Sequence, residues 1–242
     1  MLAERLKAVG FDASSEKTEV EDVPVSMGTT LVGLKYDGGV VLAADSRTSS
    51  IPVVSSAYAR KINRVSDNIY VCRAGRASHT MYVGRLLKNL MEQHQVEMSG
   101  SGTSSLAIPS VKSAASVARI ICYNNRDVLL SSLLIGGVDP VDGPQLYNIG
   151  QGGALFTRNI ITCGSGGTYI SGLADSLYKS NLSKDEAIKL VTLLVNHAMM
   201  RDNGSGGIIR YVVIDQQDGT SEHFVSSANL QKLETKMAHS AC

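Results

Sequence analysis

The sequence has little net charge and no long apolar run. Its 242 residues include 23 lysines and arginines against 22 aspartates and glutamates. A balanced charge gives no reason to expect nucleic acid or an anionic membrane surface as a partner. No apolar run approaches the roughly 20 residues of a membrane-spanning helix, so we expect no membrane association. A chain of this length can form one large domain or two small ones with a sizeable core.

Signatures of metal, disulfide and phosphate chemistry are also absent. No paired CxxC spacing occurs among the four cysteines, which are Cys72, Cys122, Cys163 and Cys242. The first 28 residues lack the apolar segment of a secretory signal, so we expect reduced thiols in a cytosolic protein. The five histidines form no HExxH motif, and the glycine-rich loops match neither GxxxxGKS/T nor GxGxxG. We therefore predict no metal, no cofactor and no bound nucleotide.

The chain divides into a polar leader and a strongly patterned domain. Residues 1–28 are polar and become acidic toward their end, a composition that predicts a leader outside the core. A β-hairpin is predicted next, with strands over 30–36 and 40–44 joined by an Asp-Gly turn at 37–39. The second strand is continuously apolar, as expected for a strand that is covered on both faces.

Apolar residues at helical spacing predict four helices, over 78–96, 110–123, 169–180 and 184–200. Ser183 and Glu186 form a capping-box pattern at the start of the last helix. The polar segment 99–109 between the first two helices predicts a flexible loop. Further strands are predicted over 69–72, 129–136, 145–149, 208–214 and 221–225. This order predicts an α+β fold with two packed sheets and a helical layer outside each, although periodicity alone leaves the topology open.

The junction Gly28-Thr29, followed at once by a strand, indicates a threonine that becomes a new N-terminus. After cleavage, its hydroxyl would be the nucleophile and its own α-amine the base, which is one of the few ways to activate a threonine. A free α-amine has a pKa of roughly 7.7–8.0, so it is partly neutral at physiological pH. It could then accept the hydroxyl proton, directly or through one water.

Lys61 and Asp45 supply the charges that this chemistry needs. The Lys61 ammonium would stabilise a developing alkoxide and lower the pKa of the neighbouring amine by like-charge repulsion. Asp45, at the end of an apolar strand, would hold Lys61 charged and in place. Taken singly, each residue also fits a structural role, with Thr29 as a strand residue and Asp45 with Lys61 as an ion pair.

Together with these residues, the glycine-rich segments around Gly75, Ser165 and 202–205 carry a family resemblance. From Thr29 to about Ser226, the chain resembles the catalytic β-subunits of proteasomes, most closely the β1, caspase-like type. The resemblance therefore covers almost all of the chain that follows the leader.

This resemblance implies an organisation and an activity. Residues 1–28 would be a propeptide, cut from the catalytic domain 29–242 between Gly28 and Thr29. The fold would be the four-layer αββα sandwich of the N-terminal nucleophile hydrolases. The activity would be that of a threonine-type endopeptidase that uses no cofactor and cleaves unfolded polypeptides after acidic residues. Its partners would be other β-subunits in a heptameric ring, an α-subunit ring and a second β-ring, in cytoplasm and nucleus.

The resemblance also implies roles for individual residues. The implied catalytic set consists of Thr29, Asp45, Lys61, Ser165, Asp202 and Ser205, of which the last three would orient the Thr29 amine and hydroxyl. Gly75 would donate its backbone N–H to the substrate oxyanion. Arg73 would line the pocket for the residue before the cut and favour Asp or Glu there. Thr48 and Ser49 would line the cleft and pair with the substrate backbone as an added strand.

Arg47 and Arg60 flank this set. Arg47 matches a family position that supports the site structurally. Arg60 departs from the β1 pattern, which has aspartate at that position. Its positive charge next to Lys61 could change the environment of the lysine or point to solvent.

Two other interpretations stay open at this point. One is a non-catalytic β-subunit that only builds the ring, and the junction at Thr29 together with Lys61 argues against it. The other is a self-compartmentalising bacterial protease or another N-terminal nucleophile amidase. Arg73 and the segment RDNGSGG at 201–207 argue against that second class.

Overall fold

The computed structural model of the protein describes residues 28–50, 53–99 and 108–226. The helices in these ranges are α1 (Ala77–Ser99), α2 (Val111–Asn124), α3 (Gly167–Leu177) and α4 (Lys184–Arg201). The strands are β1 (Leu31–Tyr36), β2 (Gly39–Ala44), β3 (Thr48–Ser50), β4 (Val53–Ser56), β5 (Ile62–Ser66), β6 (Ile69–Gly75), β7 (Ser131–Asp139), β8 (Gly143–Ile149), β9 (Leu155–Thr157), β10 (Ile160–Cys163), β11 (Ile209–Asp215) and β12 (Gly219–Val225). The leader before Gly28, most of the predicted flexible loop and Cys242 lie outside the described residues.

Two five-stranded sheets form the centre of the molecule. The first has the strand order β10-β1-β2-β11-β12, and the second has the order β5-β6-β7-β8-β9. Every neighbouring pair in these two sheets is antiparallel. The short strands β3 and β4 form a separate two-stranded ribbon after the first hairpin.

Three clusters of buried apolar side chains separate four layers. One cluster, which includes Leu42 and Leu134, lies between the two sheets. A second joins the β5–β9 sheet to α1 and α2, and a third joins the other sheet to α3 and α4. The inner strands of each sheet therefore bury both of their faces, one against the other sheet and one against a helical pair, whereas the edge strands β9 and β12 are mostly exposed. The predicted four-layer αββα sandwich is confirmed.

The predicted hairpin opens the domain. β1 and β2 pair from Leu31 opposite Ala44 to Tyr36 opposite Gly39. Gly38 has a φ of +95° in the turn, a conformation that glycine adopts without steric cost. All six residues of β2 are buried, because this strand lies inside the first sheet with a core on each side. The residues that precede β1 consequently lie beside those that follow β2.

The four predicted helices are present, with shifts at their ends. α3 stops at Leu177 rather than at residue 180, because Tyr178 has an extended backbone with φ −67° and ψ 133°. The predicted capping box is confirmed at α4: the Ser183 side chain accepts from the Glu186 N–H, and the Ser183 N–H donates to the Glu186 carboxylate at 2.8 Å. The sequence did not indicate β3, β4, β5, β9 or β10. These strands are three to five residues long, too short for an alternating pattern to stand out.

The three described cysteines, Cys72, Cys122 and Cys163, are buried free thiols. Burial raises the pKa of Cys163 to about 12, so this thiol stays protonated at neutral pH. Within the described ranges, none of the helices combines the length and the apolar character needed to cross a membrane.

Candidate active site

Strand ends from both sheets meet at the candidate site. Thr29 precedes β1 and Asp45 follows β2, whereas Lys61 precedes β5 and Gly75 ends β6. Antiparallel pairing places the start of one strand beside the end of its neighbour, which brings these positions together within each sheet. The backbone bond from the Asp45 N–H to the Thr30 carbonyl, at 3.2 Å, fixes the first pair.

Lys61 donates hydrogen bonds to three acceptors at the site. Its Nζ donates to Thr29 Oγ1 at 3.0 Å, to Asp45 Oδ1 at 2.8 Å and to the Gly28 carbonyl oxygen at 3.1 Å. A lysine ammonium has three N–H groups, so these contacts use all of them. The Asp45 side chain is fully buried and that of Lys61 is only 7% exposed. The fold thus brings the three central residues of the predicted catalytic set into direct contact.

Burial lowers the pKa of Lys61 below its ordinary value, and the positive charge of Arg73 acts in the same direction. The Asp45 carboxylate counteracts both effects. The net change is nevertheless downward, because moving a cation out of water costs more than the ion pair returns. Lys61 therefore gives up a proton more easily than a lysine in solution.

Asp202 organises the second half of the site. The Thr29 N–H donates to Ser165 Oγ at 3.1 Å, and Ser165 Oγ donates to Asp202 Oδ2 at 2.7 Å. The Ser205 hydroxyl donates to the same carboxylate oxygen at 2.7 Å. Burial alone would raise the pKa of Asp202, but these hydroxyls and the Gly204 N–H lower it below its ordinary value. A charged Asp202 accepts the hydrogen bond of the Ser165 hydroxyl, so Ser165 presents a lone pair to the Thr29 N–H.

Thr30 is a member of the site that the sequence analysis missed. Its Oγ1 lies 2.7 Å from Ser205 Oγ, and its N–H donates to Asp45 Oδ1 at 2.9 Å. Thr30 therefore connects the Asp45 carboxylate with the hydroxyl that Asp202 holds. The signal was the second threonine after Gly28, which the pattern indicated only as the first residue of a strand.

Gly28 fits a space that admits only glycine. A Cβ at this position would lie 2.2 Å from the Cα of Gly204, closer than any two carbons that are not bonded can approach. The Thr29 hydroxyl donates to the Gly28 carbonyl oxygen at 2.6 Å. The hydroxyl, the Lys61 ammonium and the carbonyl group before Thr29 are thus in mutual contact.

Gly75 also occupies a position that the backbone reserves for glycine. It ends β6 with a φ of +119°, in the region that other residues rarely adopt. A Cβ here would lie 2.3 Å from the carbonyl oxygen of Leu130, so a side chain would force the backbone to move. Gly75 lines the same cleft as Thr29, at the place where an oxyanion donor was predicted.

A cleft of about 420 Å³ opens over Thr29. Thr48 and Ser49 of β3 lie in its wall together with Gly75. The charged residues that line it are all positive: Arg47, Arg60, Lys61, Arg73 and Arg76. Among the described residues, no aspartate or glutamate lines this cleft. Its potential consequently favours an anionic group.

Arg73 lines the cleft from β6, and protein atoms hold its guanidinium in place. Nε donates to Asn63 Oδ1 at 2.8 Å, and Nη2 donates to the Arg60 carbonyl oxygen at 2.6 Å. Nη1 makes a longer contact of 3.4 Å with Thr80 Oγ1. A guanidinium has five N–H groups, so two of them remain for a ligand. Burial lowers the pKa of Arg73, but a guanidinium stays charged at every physiological pH.

Arg47 supports the loop that carries Asp202. Its Nη1 donates to the Asn203 carbonyl oxygen at 3.0 Å. The loop passes so close to the guanidinium that a Cβ at Gly206 would lie 2.3 Å from Arg47 Cζ. These contacts agree with the structural role that was expected for Arg47.

Comparisons with known proteins match most of the chain. A sequence model of the proteasome subunit family matches residues 25–214. Proteasome subunit beta type-6 of Arabidopsis thaliana is 38% identical over 210 residues, which are 87% of each chain. The Dictyostelium discoideum protein of the same name is 35% identical over 217 residues, or 90% of this chain and 98% of its own. Proteasome subunit beta type-1 of Saccharomyces cerevisiae is 33% identical over 190 residues, or 78% and 85%.

Proposed function

This chain belongs to the proteasome subunit family, and we propose that it is a catalytic β-subunit, a threonine-type endopeptidase that cleaves peptide bonds after acidic residues. The observation that carries the proposal is the 3.0 Å contact between Lys61 Nζ and Thr29 Oγ1 in a cationic cleft. A subunit that only builds a ring has no need for a buried ammonium beside that hydroxyl.

Thr29 first releases its own α-amine. Its Oγ1 attacks the carbonyl carbon of Gly28, an ester to Oγ1 forms, and the bond from that carbon to the Thr29 nitrogen breaks. The hydroxyl proton ends on the departing nitrogen. Lys61 Nζ, at 3.1 Å from the Gly28 oxygen, stabilises the negative charge that develops there. Water then hydrolyses the ester, which leaves Thr29 as the new N-terminus and residues 1–28 as a released propeptide.

The released α-amine is the base for peptide hydrolysis. It replaces the N–H that lies 3.1 Å from Ser165 Oγ, so Ser165 and Asp202 fix its orientation. The charge of Lys61 lowers the pKa of this amine by repulsion and keeps a fraction of it neutral at pH 7. The amine accepts the Oγ1 proton, directly or through one water, and Oγ1 attacks the substrate carbonyl carbon.

Gly75 and Lys61 stabilise the intermediate of that attack. The Gly75 N–H donates to the substrate oxyanion, and the Lys61 ammonium lies beside the oxygen that forms the new bond. When the peptide C–N bond breaks, the leaving amine takes the proton that the Thr29 α-amine accepted. The acyl group remains as an ester on Oγ1 until water hydrolyses it and restores the free threonine.

Arg73 selects the residue before the cut. Its two remaining N–H groups match the two oxygens of one carboxylate, and the absence of acidic lining residues in the described part of the cleft favours the same ligand. In the described residues β3 pairs only with β4, so its other edge is open to a substrate backbone next to Thr48 and Ser49.

By the same proposal, the chain is a β-subunit of the caspase-like type. The names of its relatives, beta type-6 and beta type-1, support this assignment. It would form a heptameric ring with other β-subunits, stacked on an α-subunit ring and on a second β-ring. Its substrates would be unfolded polypeptides in the cytoplasm and the nucleus.

The first test is the mass and the N-terminal sequence of the chain, isolated from its native particle. We expect a mature chain that begins Thr29-Thr30-Leu31, because the hydroxyl and the Gly28 carbonyl are already in contact. The uncleaved reference is the same chain, isolated from extract of the same cells before it has assembled into particles. A full-length chain that keeps Met1 inside the assembled particle would contradict the catalytic assignment and favour a purely structural subunit.

Replacement of Arg73 with glutamine is expected to lower the preference for glutamate over glutamine before the cut by about tenfold or more, since charged hydrogen bonds contribute about 1.5–3 kcal/mol. Arg73→Lys keeps the charge but loses the planar fork, so it should retain only part of the preference. The measurement is kcat/KM for matched peptides on assembled particles. A preference that is unchanged in Arg73→Gln would contradict the role given to this residue.

A further inference from the structure

The guanidinium groups of two arginines in the cleft have no hydrogen-bond or ion-pair partner among the described residues. Arg60 comes directly before Lys61, Arg76 comes directly after Gly75, and both line the cleft over Thr29. In the part of the chain that the structure describes, neither guanidinium donates a hydrogen bond or forms an ion pair. Among the described residues, no partner therefore competes with a ligand for either guanidinium.

We infer that the cleft prefers peptides with two acidic side chains, and that Arg60 and Arg76 select the second of them. The inference rests on the proposed function, in which Arg73 receives the acidic residue before the cut. It extends the specificity of the site from one substrate position to two.

Arg73 cannot receive both carboxylates. Its contacts with Asn63, Thr80 and the Arg60 carbonyl use three of its five N–H groups. The two that remain match the two oxygens of a single carboxylate. A second carboxylate at the same guanidinium would meet the repulsion of the first, so other cations must receive it.

Arg60 and Arg76 start close to that first position. The Arg60 carbonyl oxygen lies 2.6 Å from Arg73 Nη2, so the Arg60 side chain leaves the backbone next to the Arg73 guanidinium. The Arg76 N–H is held at 3.0 Å by the Leu130 carbonyl, directly after the proposed oxyanion donor. An extended peptide advances about 3.3 Å per residue. The neighbours of an acidic residue at Arg73 therefore lie a few ångströms away, in the cleft that Arg60 and Arg76 also line.

The charges of the cleft also favour more than one anion. Asp45 pairs with Lys61, but no carboxylate among the described lining residues pairs with Arg60, Arg73 or Arg76. Like charges that share a cleft repel one another, and a bound anion relieves that repulsion. One substrate carboxylate leaves two of these guanidinium groups unpaired, whereas a second carboxylate pairs with one more.

The test uses assembled particles that contain the full chain. Internally quenched peptides carry glutamate before the cut, with two further positions on each side of it. One of these four positions carries either glutamate or glutamine. We expect kcat/KM to be about fivefold higher for the second glutamate at one position or more, the size of an exposed ion pair. Arg60→Gln, Arg76→Gln or the double variant should reduce that ratio to about one. A particle with Thr29→Ala gives the background of the other subunits.

Arg85→Gln is the matched control. Arg85 is exposed on α1 and does not line the cleft, so the same change in charge should leave the ratio as it is in the wild type. The salt dependence of the wild-type particle is a readout that needs no variant. Added salt screens exposed charges, so it should lower the ratio of kcat/KM between the glutamate and glutamine peptides toward one.

The outcomes separate this inference from the proposed function. Equal cleavage of the glutamate and glutamine peptides at every position overturns the inference and leaves the proposed function in place. A preference that persists in the double variant also overturns it. Cleavage of acidic peptides that does not exceed the Thr29→Ala background overturns the proposed function, and the inference with it.

Discussion

Alanine in place of Thr29 is expected to stop the cleavage after Gly28 and to lower hydrolysis of acidic peptides to the background of the other subunits. The contribution of this chain should fall by at least about 10³-fold, as loss of a nucleophile does in other proteases. The reason is that Oγ1 is the only Thr29 atom that both contacts Lys61 Nζ and can form the ester. Mass spectrometry of the assembled chain and kcat/KM for an acidic peptide measure the two effects.

Serine at position 29 is the matched control for that change. It keeps the hydroxyl and loses only the methyl group, so we expect cleavage and measurable peptide hydrolysis. A second chain, made to begin directly with alanine at position 29, separates catalysis from propeptide removal. Activity of that chain equal to the wild type would show that another residue is the nucleophile.

Methionine in place of Lys61 is expected to lower peptide hydrolysis as much as the change at Thr29 and to destabilise the chain as well. It removes the ammonium beside Thr29 Oγ1, so peptide hydrolysis should fall to the level of the Thr29→Ala particle. It also leaves the Asp45 carboxylate buried without its cation, which should lower the free energy of unfolding by about 3–5 kcal/mol. Thermal or denaturant unfolding measures the second effect, and kcat/KM measures the first.

The double variant Lys61→Met with Asp45→Asn separates stability from catalysis. Because it removes both charges, it should regain part of the lost stability. It should not regain activity, since no cation remains beside the Thr29 hydroxyl. Full activity in a stable, assembled Lys61→Met particle would show that the Asp45–Lys61 pair has only a structural role.

Much of the fold could be predicted because its signals are local. The Asp-Gly turn, the apolar run of β2 and the capping box at Ser183 each occupy a few consecutive residues, and the structure confirms all three. Strands β3, β4 and β9 escaped prediction because three or four residues cannot display a period. The early end of α3 depends on the backbone angles of Tyr178, which no pattern in the sequence indicates.

Identification of the candidate site depended on both the sequence and the tertiary structure. The sequence by itself determined the Gly28-Thr29 junction and the residue types that threonine chemistry requires, because those requirements concern single side chains and their neighbours in the chain. Only the tertiary structure decided that Ser165, 136 positions from Thr29, receives its N–H, and that Asp202 holds the Ser165 hydroxyl. The approach of Ser165 to Thr29 arises from the pairing of β10 with β1 in one sheet, which joins residues that are far apart in the chain.

The same division between sequence and tertiary structure applies to the glycines and the arginines of the site. The sequence contained Gly28, Arg60 and Arg76, but nothing local indicated that Gly28 meets Gly204 or that both arginines line one cleft. Packing decides these facts, because steric contact and repulsion between charges depend on distance in space. Separation along the chain does not determine that distance once the strands have paired.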